Sequence, residues 1–225
     1  MKQILTSMLI LLTCNLFSQE IEHEKIQPIT VKKETNVTKI RVNMIGTQVW
    51  MTKNLDIVTF RNGDPIPEAK TDEQWKLAGE NKQPAWCYDN GSKNGQNNGK
   101  LYNWYAVSDM RGLAPVGYHV PTENEWNLLL SYLDGKSHDG IKSNRKHARI
   151  RLKNSGFSVS LAGIRSTDGV FELNSLRGSW WSISVNNFVP LDDRAWAALF
   201  DFEVCSVTRD LKLKGYGLSV RCLKD

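Results

Sequence analysis

The sequence predicts an α+β domain that covers residues 39–225. Two stretches begin with the capping pattern of an α-helix, and the second also carries apolar residues at helical spacing, so we predict both as α-helices. The rest of the region alternates apolar and polar residues in short runs separated by turn residues, which is typical of β-strands. Composition does not change again inside the region, so we expect a single domain.

Each predicted helix begins with a reciprocal capping pair. Thr71 precedes the first helix and Gln74 follows three residues later, the spacing of a capping box. Thr122 and Glu125 repeat this spacing at the second helix, and a glycine ends each helix. The second helix has one apolar face, made by Trp126, Leu129, Leu130 and Leu133.

The strands are predicted from period-two alternation. A β-hairpin opens the domain, with Lys39–Ile45 and Thr47–Met51 joined by Gly46. In the second half, turn residues separate five more alternating runs. These predicted strands are residues 156–161, 179–184, 195–204, 206–213 and 217–223.

The stretch Asp89–Gly99 is predicted as a long flexible loop. Its asparagines and glycines tolerate left-handed backbone conformations. Its side-chain oxygens leave calcium as an alternative, although the dense carboxylates that calcium prefers are missing from the loop. We expect no other cofactor.

Composition excludes several classes of protein. Hydrophobic residues make up 40% and charged residues 24% of the 225 residues, which is inconsistent with a collagen-like, coiled-coil or wholly disordered chain. The net charge of +5 is mild. The densest basic stretch, Lys142–Lys153, is interpreted as a solvated face, so we expect no nucleic-acid partner.

Residues 1–18 have the pattern of a secretory signal peptide. A positive start precedes the apolar stretch Ile4–Phe17, and the small residue Ser18 follows it. The apolar stretch is shorter than the about 20 residues that span a membrane, so we predict cleavage after Ser18 and no span in the mature chain. Residues 19–38 would then be a polar linker. The protein is predicted to be exported to the periplasm, the cell surface or the medium, with a lipid anchor at Cys14 as the alternative.

Export would leave three cysteines in a compartment where a disulfide can form. Alternation places Cys222 on one face of its strand with Leu218 and Val220, whereas Cys205 points away from the apolar face of its own strand. Cys87 lies in an apolar run. We therefore predict a Cys87–Cys222 disulfide with Cys205 as a leftover thiol, and the alternative is three reduced, packed thiols.

A set of short motifs extends in order from about residue 40 to the last residue. The motifs are Ile45–Leu55, Pro84–Tyr88, Gly99–Val107, Arg111–Pro115, Gly117–Thr122, Asn154–Ser158, Trp180–Ser182 and Ser219–Asp225. Through them the chain resembles the Fibrobacter succinogenes major paralogous domain, a bacterial envelope family. That resemblance implies an exported protein or lipoprotein and names no activity.

A more distant resemblance concerns the second helix. Val120–Trp126 is similar to the helix-opening motif of the formylglycine-generating (sulfatase-modifying) enzyme superfamily, and Arg221-Cys222 is similar to its last strand. This resemblance implies a C-type-lectin-like fold, with two helices around a twisted, mostly antiparallel sheet and long loops. The superfamily's copper chemistry needs two closely spaced cysteines, and Cys205 and Cys222 are too far apart to supply them.

Other catalytic patterns are missing from the sequence. The four histidines form no His-x-x-x-His pair, so we expect no transition-metal site. The carboxylate pairs Asp192-Asp193 and Glu123/Glu125 are explained by a loop and by helix capping. No Gly-x-Ser-x-Gly motif occurs. We therefore expect that the protein is not an enzyme.

The tandem Trp180-Trp181 is the strongest candidate for ligand binding. Adjacent side chains on a strand point to opposite faces, so one indole would pack in the core and the other would face outward or lie under a loop. Beside Trp196, Tyr102 or Tyr105 it would stack on a sugar ring or a peptide. The alternative is that all five are core or loop-anchoring residues.

Together these observations predict an exported, non-catalytic, envelope-associated recognition module for a carbohydrate or protein ligand. A structural or adhesion protein acting through protein contacts is the first alternative, and an enzyme of unidentified chemistry is the second. An exposed aromatic row beside a groove would favour recognition, and a flat apolar patch would favour adhesion. A buried cluster of carboxylates or histidines with shifted pKa values would favour an enzyme.

Overall fold

The computed structural model describes seven segments of the chain: residues 40–89, 95–134, 155–157, 162–172, 177–185, 193–201 and 206–225. The predicted signal peptide 1–18, the linker 19–38, Cys14 and Cys205 lie outside the described residues. So do residues 90–94 of the predicted loop, the basic stretch 142–153 and most of the predicted strand 156–161.

The described chain is mixed α and β, with mostly strands and few helices. The helices are α1 (Asp72–Glu80), α2 (Trp104–Val107) and α3 (Glu123–Asp134), and a 3-10 turn covers Gly95–Asn98. The strands are β1 (Val42–Ile45), β2 (Gln48–Met51), β3 (Trp86–Tyr88), β4 (Lys100–Tyr102), β5 (Tyr118–His119), β6 (Ile164–Arg165), β7 (Phe171–Glu172), β8 (Arg177–Val185), β9 (Arg194–Asp201), β10 (Ser206–Leu213), β11 (Leu218–Ser219) and β12 (Leu223–Lys224).

The described strands form three sheets. One sheet has the order β1-β2-β12-β5, a second has the order β10-β9-β8-β11-β4-β3, and β6 pairs with β7. The described pairs are antiparallel except β11 with β8, which run parallel at Ser219 and Trp180. The strand β8 therefore lies inside the six-stranded sheet, with neighbours on both sides.

Both predicted capping boxes are confirmed. The Gln74 amide nitrogen donates to the Thr71 hydroxyl over 3.2 Å, and the Gln74 side chain accepts from the Thr71 amide. At α3 the Glu125 amide nitrogen donates to the Thr122 hydroxyl over 3.3 Å, and the Thr122 amide donates to the Glu125 carboxylate over 2.7 Å. These bonds satisfy amides that a helix start leaves unpaired.

The predicted strand 217–223 is two strands that belong to different sheets. β11 pairs within the six-stranded sheet and β12 within the four-stranded one. Between them Val220 accepts a hydrogen bond from the Leu55 amide, and Cys222 accepts one from the Met51 amide. The alternation of Leu218, Val220 and Cys222 is real, because all three side chains are buried in one apolar cluster, but the segment crosses between sheets.

The six-stranded sheet separates two apolar clusters. One contains Trp181, Tyr102 and Leu218, together with side chains of α2. The other contains Trp180, Phe200 and the buried face of α3. Burying one large apolar side chain stabilises the fold by about 1.5–3 kcal/mol, so both clusters are large contributions to stability.

The predicted Cys87–Cys222 disulfide is wrong for this structure. Both cysteines are buried free thiols. Alternation along β3 directs Cys87 into a third cluster beside Trp75, whereas Cys222 packs in the cluster of Trp181. Burial raises the pKa of Cys87 to about 11 and that of Cys222 to about 12, so both thiols stay protonated at neutral pH.

Within the segments that the structure describes, no helix combines the length and the apolar character needed to cross a membrane.

Candidate functional site

The structure buries three of the five aromatic residues predicted to bind a ligand. Trp180, Trp181 and Tyr102 are each 0% exposed. The Trp180 indole nitrogen donates to the Asn54 side-chain oxygen, and the Trp181 indole nitrogen donates to the Tyr102 carbonyl, both over 2.8 Å. Both indole nitrogens therefore have hydrogen-bond partners inside the core. The prediction that one of the tandem tryptophans faces outward is wrong.

The physical reason is that elements cover both faces of β8. The two indoles do point to opposite faces, as alternation requires. However, α3 packs on the face of Trp180, where Trp126 and Trp180 have ring centroids 6.4 Å apart. On the opposite face α2 packs on β8, and Trp104 donates to the Ser182 carbonyl over 3.1 Å.

The other two predicted aromatic residues are half-buried and lie on different elements. Trp196 is on β9, with the Arg209 guanidinium 5.5 Å from its ring centroid. The Tyr105 hydroxyl donates to the Asp193 carboxylate over 3.1 Å. Burial and the neighbouring Asp193 charge raise the pKa of Tyr105 to about 12. The five aromatic residues therefore do not form an exposed row.

A cavity of about 210 Å³ with a mixed polar and apolar lining lies against β8, β9 and β10. Register explains why its side chains converge. Ser179 pairs with Leu199, and Trp181 and Asp210 both pair with Ala197, so alternate residues of the three strands share one sheet face. The chain around β6 and β7 closes the other side. The side chains that give the cavity its chemistry are Glu172, Arg177, Ser179, Leu199, Asp210 and Lys212.

Most charges at this cavity are already matched. The Arg177 Nε atom lies 2.7 Å from an Asp201 carboxylate oxygen, and the Lys212 ammonium lies 3.0 Å from the Asp210 carboxylate. Glu172 on β7 is exposed and forms no ion pair with any residue that the structure describes. The two ion pairs hold their side chains in place. The Glu172 carboxylate, in contrast, has no ion-pair partner among the described residues.

Ser179 lines the cavity with a hydroxyl that has no hydrogen-bond partner among the described residues. The exposed fraction of the residue is 5%. A hydroxyl that lines a cavity and has no partner among the described residues is suited to a hydrogen bond with a bound molecule.

Asp89 lies directly behind the cavity wall. Its Oδ2 atom accepts a hydrogen bond from the Gly163 amide over 2.9 Å, and Gly163 lines the cavity. Its Oδ1 atom is buried and has no hydrogen-bond partner among the residues that the structure describes.

A second cavity of about 240 Å³ lies between the end of α1 and the turn after β10. Lys76 and Asp168 at its rim are 3.8 Å apart, and Asp193 is already bound by Tyr105. Its side chains include no buried hydroxyl without a partner, so the first cavity is the better candidate.

One cluster of titratable side chains lies outside both cavities. The two ring nitrogens of His119 lie 2.7 Å from Asp225 and 2.8 Å from Glu125. Burial lowers the pKa of His119, but the hydrogen bonds to both carboxylates outweigh burial and leave the pKa above its usual value. Burial likewise raises the pKa of Glu125, and hydrogen bonds from Thr122 and His119 reverse this, so its pKa is lowered.

This histidine cluster is a structural connection. Both His119 nitrogens are occupied, and the second Glu125 oxygen accepts from the Thr122 amide and hydroxyl. A general base needs a free lone pair near the proton that it removes. Over the segments described, no group of three or more His, Cys, Asp or Glu side chains is arranged to hold a metal ion.

Sequence reasoning missed the cavity residues, although a signal for them exists. Thr208, Asp210 and Lys212 occupy every second position of β10. This alternation indicates a polar sheet face opposite the apolar one. Arg177 and Ser179 show the same spacing on β8. The approach of β6 and β7 to this face is not visible in the local pattern.

Neither the curated proteins nor the solved structures include a significant match to the chain, and the more distant resemblance to sulfatase-modifying enzymes gains no support. The family model of the Fibrobacter succinogenes major domain matches residues 44–224. This match spans β2 to β12 and both sheets that carry the core and the cavity. The chain therefore belongs to the Fibrobacter succinogenes major domain family.

Proposed function

We propose that this protein is an exported, non-catalytic recognition module that binds a carbohydrate in the cavity on β8–β10. The observation that carries the proposal is Ser179, which lines this cavity and whose hydroxyl has no partner among the described residues. Sugars present many hydroxyl groups, each able to donate and accept a hydrogen bond, and so they suit a wall of this kind.

The other cavity side chains support the same ligand class. Arg177 uses only its Nε atom in the ion pair with Asp201, and its terminal nitrogens make no hydrogen bond with described residues. They are donors for ring or hydroxyl oxygens. Leu199 supplies an apolar floor for the carbon face of a ring. The contact surface is therefore this cavity rather than the tandem tryptophans.

The non-catalytic part of the proposal rests on the titratable groups. His119 and Glu125 are fully engaged in holding the start of α3. The buried thiols of Cys87 and Cys222 have raised pKa values, which disfavours the nucleophilic thiolate. Export is supported by the sequence of residues 1–18. We also propose a C-type-lectin-like arrangement, supported by long irregular connections between short strands.

The proposal is tested by titrating the protein with monosaccharides and following backbone amide chemical shifts by NMR. We expect a saturable shift at Gly163 and Leu199, which line the cavity. Ser179→Ala should weaken binding by about fivefold or more, since one hydrogen bond is lost.

Thr59→Ala is the matched control, because it removes an exposed hydroxyl that does not line the cavity. We expect it to bind sugar as the unmodified chain does. If no monosaccharide shifts the cavity amides, carbohydrate recognition at this site is wrong.

A further inference from the structure

We propose that the ligand is an oligosaccharide whose chain occupies the cavity on β8–β10 and continues into the second cavity. This inference rests on the proposed function, since it extends the same carbohydrate site. The reason is that the same two structural elements, β10 and the β6–β7 hairpin, line both cavities.

The strand β10 leads from the first cavity to the second. Asp210 and Lys212 line the first cavity, whereas Leu213 and Gly215 line the second. Asp210 and Leu213 are three residues apart, which corresponds to about 10 Å along a β-strand. The two cavities are therefore neighbours along one strand, at a distance that a short chain of linked sugar rings can bridge.

The β6–β7 hairpin follows the same course on the other side. Ile164 and Glu172 pair with each other across the hairpin and line the first cavity. Thr167 and Asp168 lie in the turn that joins the two strands, and they line the second cavity. Walking from the paired strands to the turn therefore leads from one cavity to the other, as it does along β10.

Hydrogen bonds hold the hairpin beside the chain that follows β10. The Arg165 amide donates to the Gly217 carbonyl over 3.0 Å, and the Gly217 amide donates to the Arg165 carbonyl over 2.7 Å. The ideal Cβ position of Gly215 lies 3.2 Å from a methyl carbon of Thr167, so the turn of the hairpin touches the residue that follows Lys214. The two elements are thus fixed side by side along both cavities.

Lys212 lies at the junction of the two cavities. Its ammonium is 3.0 Å from the Asp210 carboxylate of the first cavity. The same ammonium is 5.5 Å from the ring centroid of Tyr216, the residue after Gly215 of the second cavity. An ammonium carries three donors, so this junction can donate a hydrogen bond to a sugar hydroxyl between the cavities.

The second cavity has polar groups that suit a sugar ring. The Glu80 and Asp168 carboxylates accept hydrogen bonds from hydroxyls, and the Lys76 ammonium donates to them. These side chains are exposed, so a single ring should bind there weakly. A ring that is joined to another ring in the first cavity is instead held at a high effective concentration, and the weak second cavity then adds to the affinity.

The test titrates the protein with mannose and with mannotetraose, in which four mannose rings are joined by β-linkages. NMR follows the amides of Gly163 and Leu199 in the first cavity and of Gly79 and Gly215 in the second. We expect mannose to shift only the first pair. Mannotetraose should shift both pairs along one saturation curve and bind at least about tenfold more tightly than mannose.

Glu80→Ala removes an acceptor from the second cavity. It should weaken mannotetraose binding by about fivefold and leave mannose binding unchanged, since mannose does not occupy that cavity. Glu73→Ala is the matched control, because it removes the same exposed side chain from α1 at a position that lines neither cavity. We expect it to bind both sugars as the unmodified chain does.

Three results would overturn this inference and leave the proposed function in place. Mannotetraose could shift only the amides of the first cavity, it could bind no more tightly than mannose, or its affinity could be the same in Glu80→Ala. If neither sugar shifts any of the four amides, the proposed carbohydrate function fails as well.

Discussion

Ser179 is a buried residue whose hydroxyl has no partner among the described residues, and this combination separates a binding role from a structural one. Side chains that hold a fold together usually satisfy their polar atoms internally, as the Trp180 and Trp181 indoles do here. Ser179 does not satisfy its hydroxyl among the described residues. Removing this hydroxyl should therefore weaken ligand binding without lowering the free energy of unfolding.

This difference gives a prediction for Ser179→Ala in the absence of ligand. Removing a hydroxyl that has no partner among the described residues is expected to leave the free energy of unfolding unchanged or to raise it by up to about 1 kcal/mol. Urea denaturation followed by circular dichroism measures the change. A loss of more than about 1 kcal/mol would mean that the hydroxyl has a structural partner, and the binding role would then lose its main support.

Residues that act through their neighbours in sequence were the ones that could be predicted. Thr71 with Gln74 and Thr122 with Glu125 are three residues apart, and their hydrogen bonds follow from helix geometry alone. Arg221 could not be assigned in this way. It is fully buried and donates to Asn54 and Phe157, both far away in sequence.

At the scale of elements, the His119 imidazole connects three parts of the fold: β5, α3 and the segment after β12. His119 lies on β5, Glu125 on the first turn of α3, and Asp225 follows β12. Because the pKa of His119 is raised in the folded protein, its protonated form stabilises the fold. That contribution is full below the unfolded pKa of about 6.5 and is lost as the pH rises through the folded pKa.

The histidine connection predicts that His119→Gln destabilises the protein more at about pH 5.5 than at about pH 8.5. At the lower pH Glu125, whose pKa is lowered, is still ionised. Because His119 is partly exposed, solvent screening limits the effect to about 1 kcal/mol or less. Urea unfolding of both proteins at the two pH values measures it. An equal loss of stability at both would show that the charge of His119 contributes nothing.

For strand β8, the sequence predicts which face each side chain points to, but it does not predict which elements cover those faces. Alternation correctly assigned Trp180 and Trp181 to opposite faces. Whether a face is covered depends on elements distant in sequence, here α2 on one side and α3 on the other. The same limit applies to the cavity, because its wall needs β6 and β7 to approach β8–β10.

At the scale of the whole molecule, three sheets and three apolar clusters hold the described chain together without a covalent crosslink between Cys87 and Cys222. The two thiols belong to different clusters, and both are buried. A disulfide closing a loop of this length would contribute about 3–5 kcal/mol. The fold must obtain its stability from apolar burial instead.

We therefore expect that peptide mapping under non-reducing conditions finds no Cys87–Cys222 crosslink. Alkylation should modify both cysteines only after unfolding, because both are buried in the folded protein. The Cys87→Ser variant, which cannot form the crosslink, serves as the reference for the digest. Recovery of a crosslinked Cys87–Cys222 peptide from the unmodified chain would contradict the structure.

The packing of the tryptophans determines how the molecule behaves optically. Five of them are fully buried, and the rings of Trp50 and Trp126 lie 4.7 Å apart at an angle of 44°. Two indoles this close couple their electronic transitions, so the native chain should show a strong near-ultraviolet circular dichroism band and emit at short wavelength. None of these five lines the cavity. The emission of these five tryptophans is thus a sensor of the intact core.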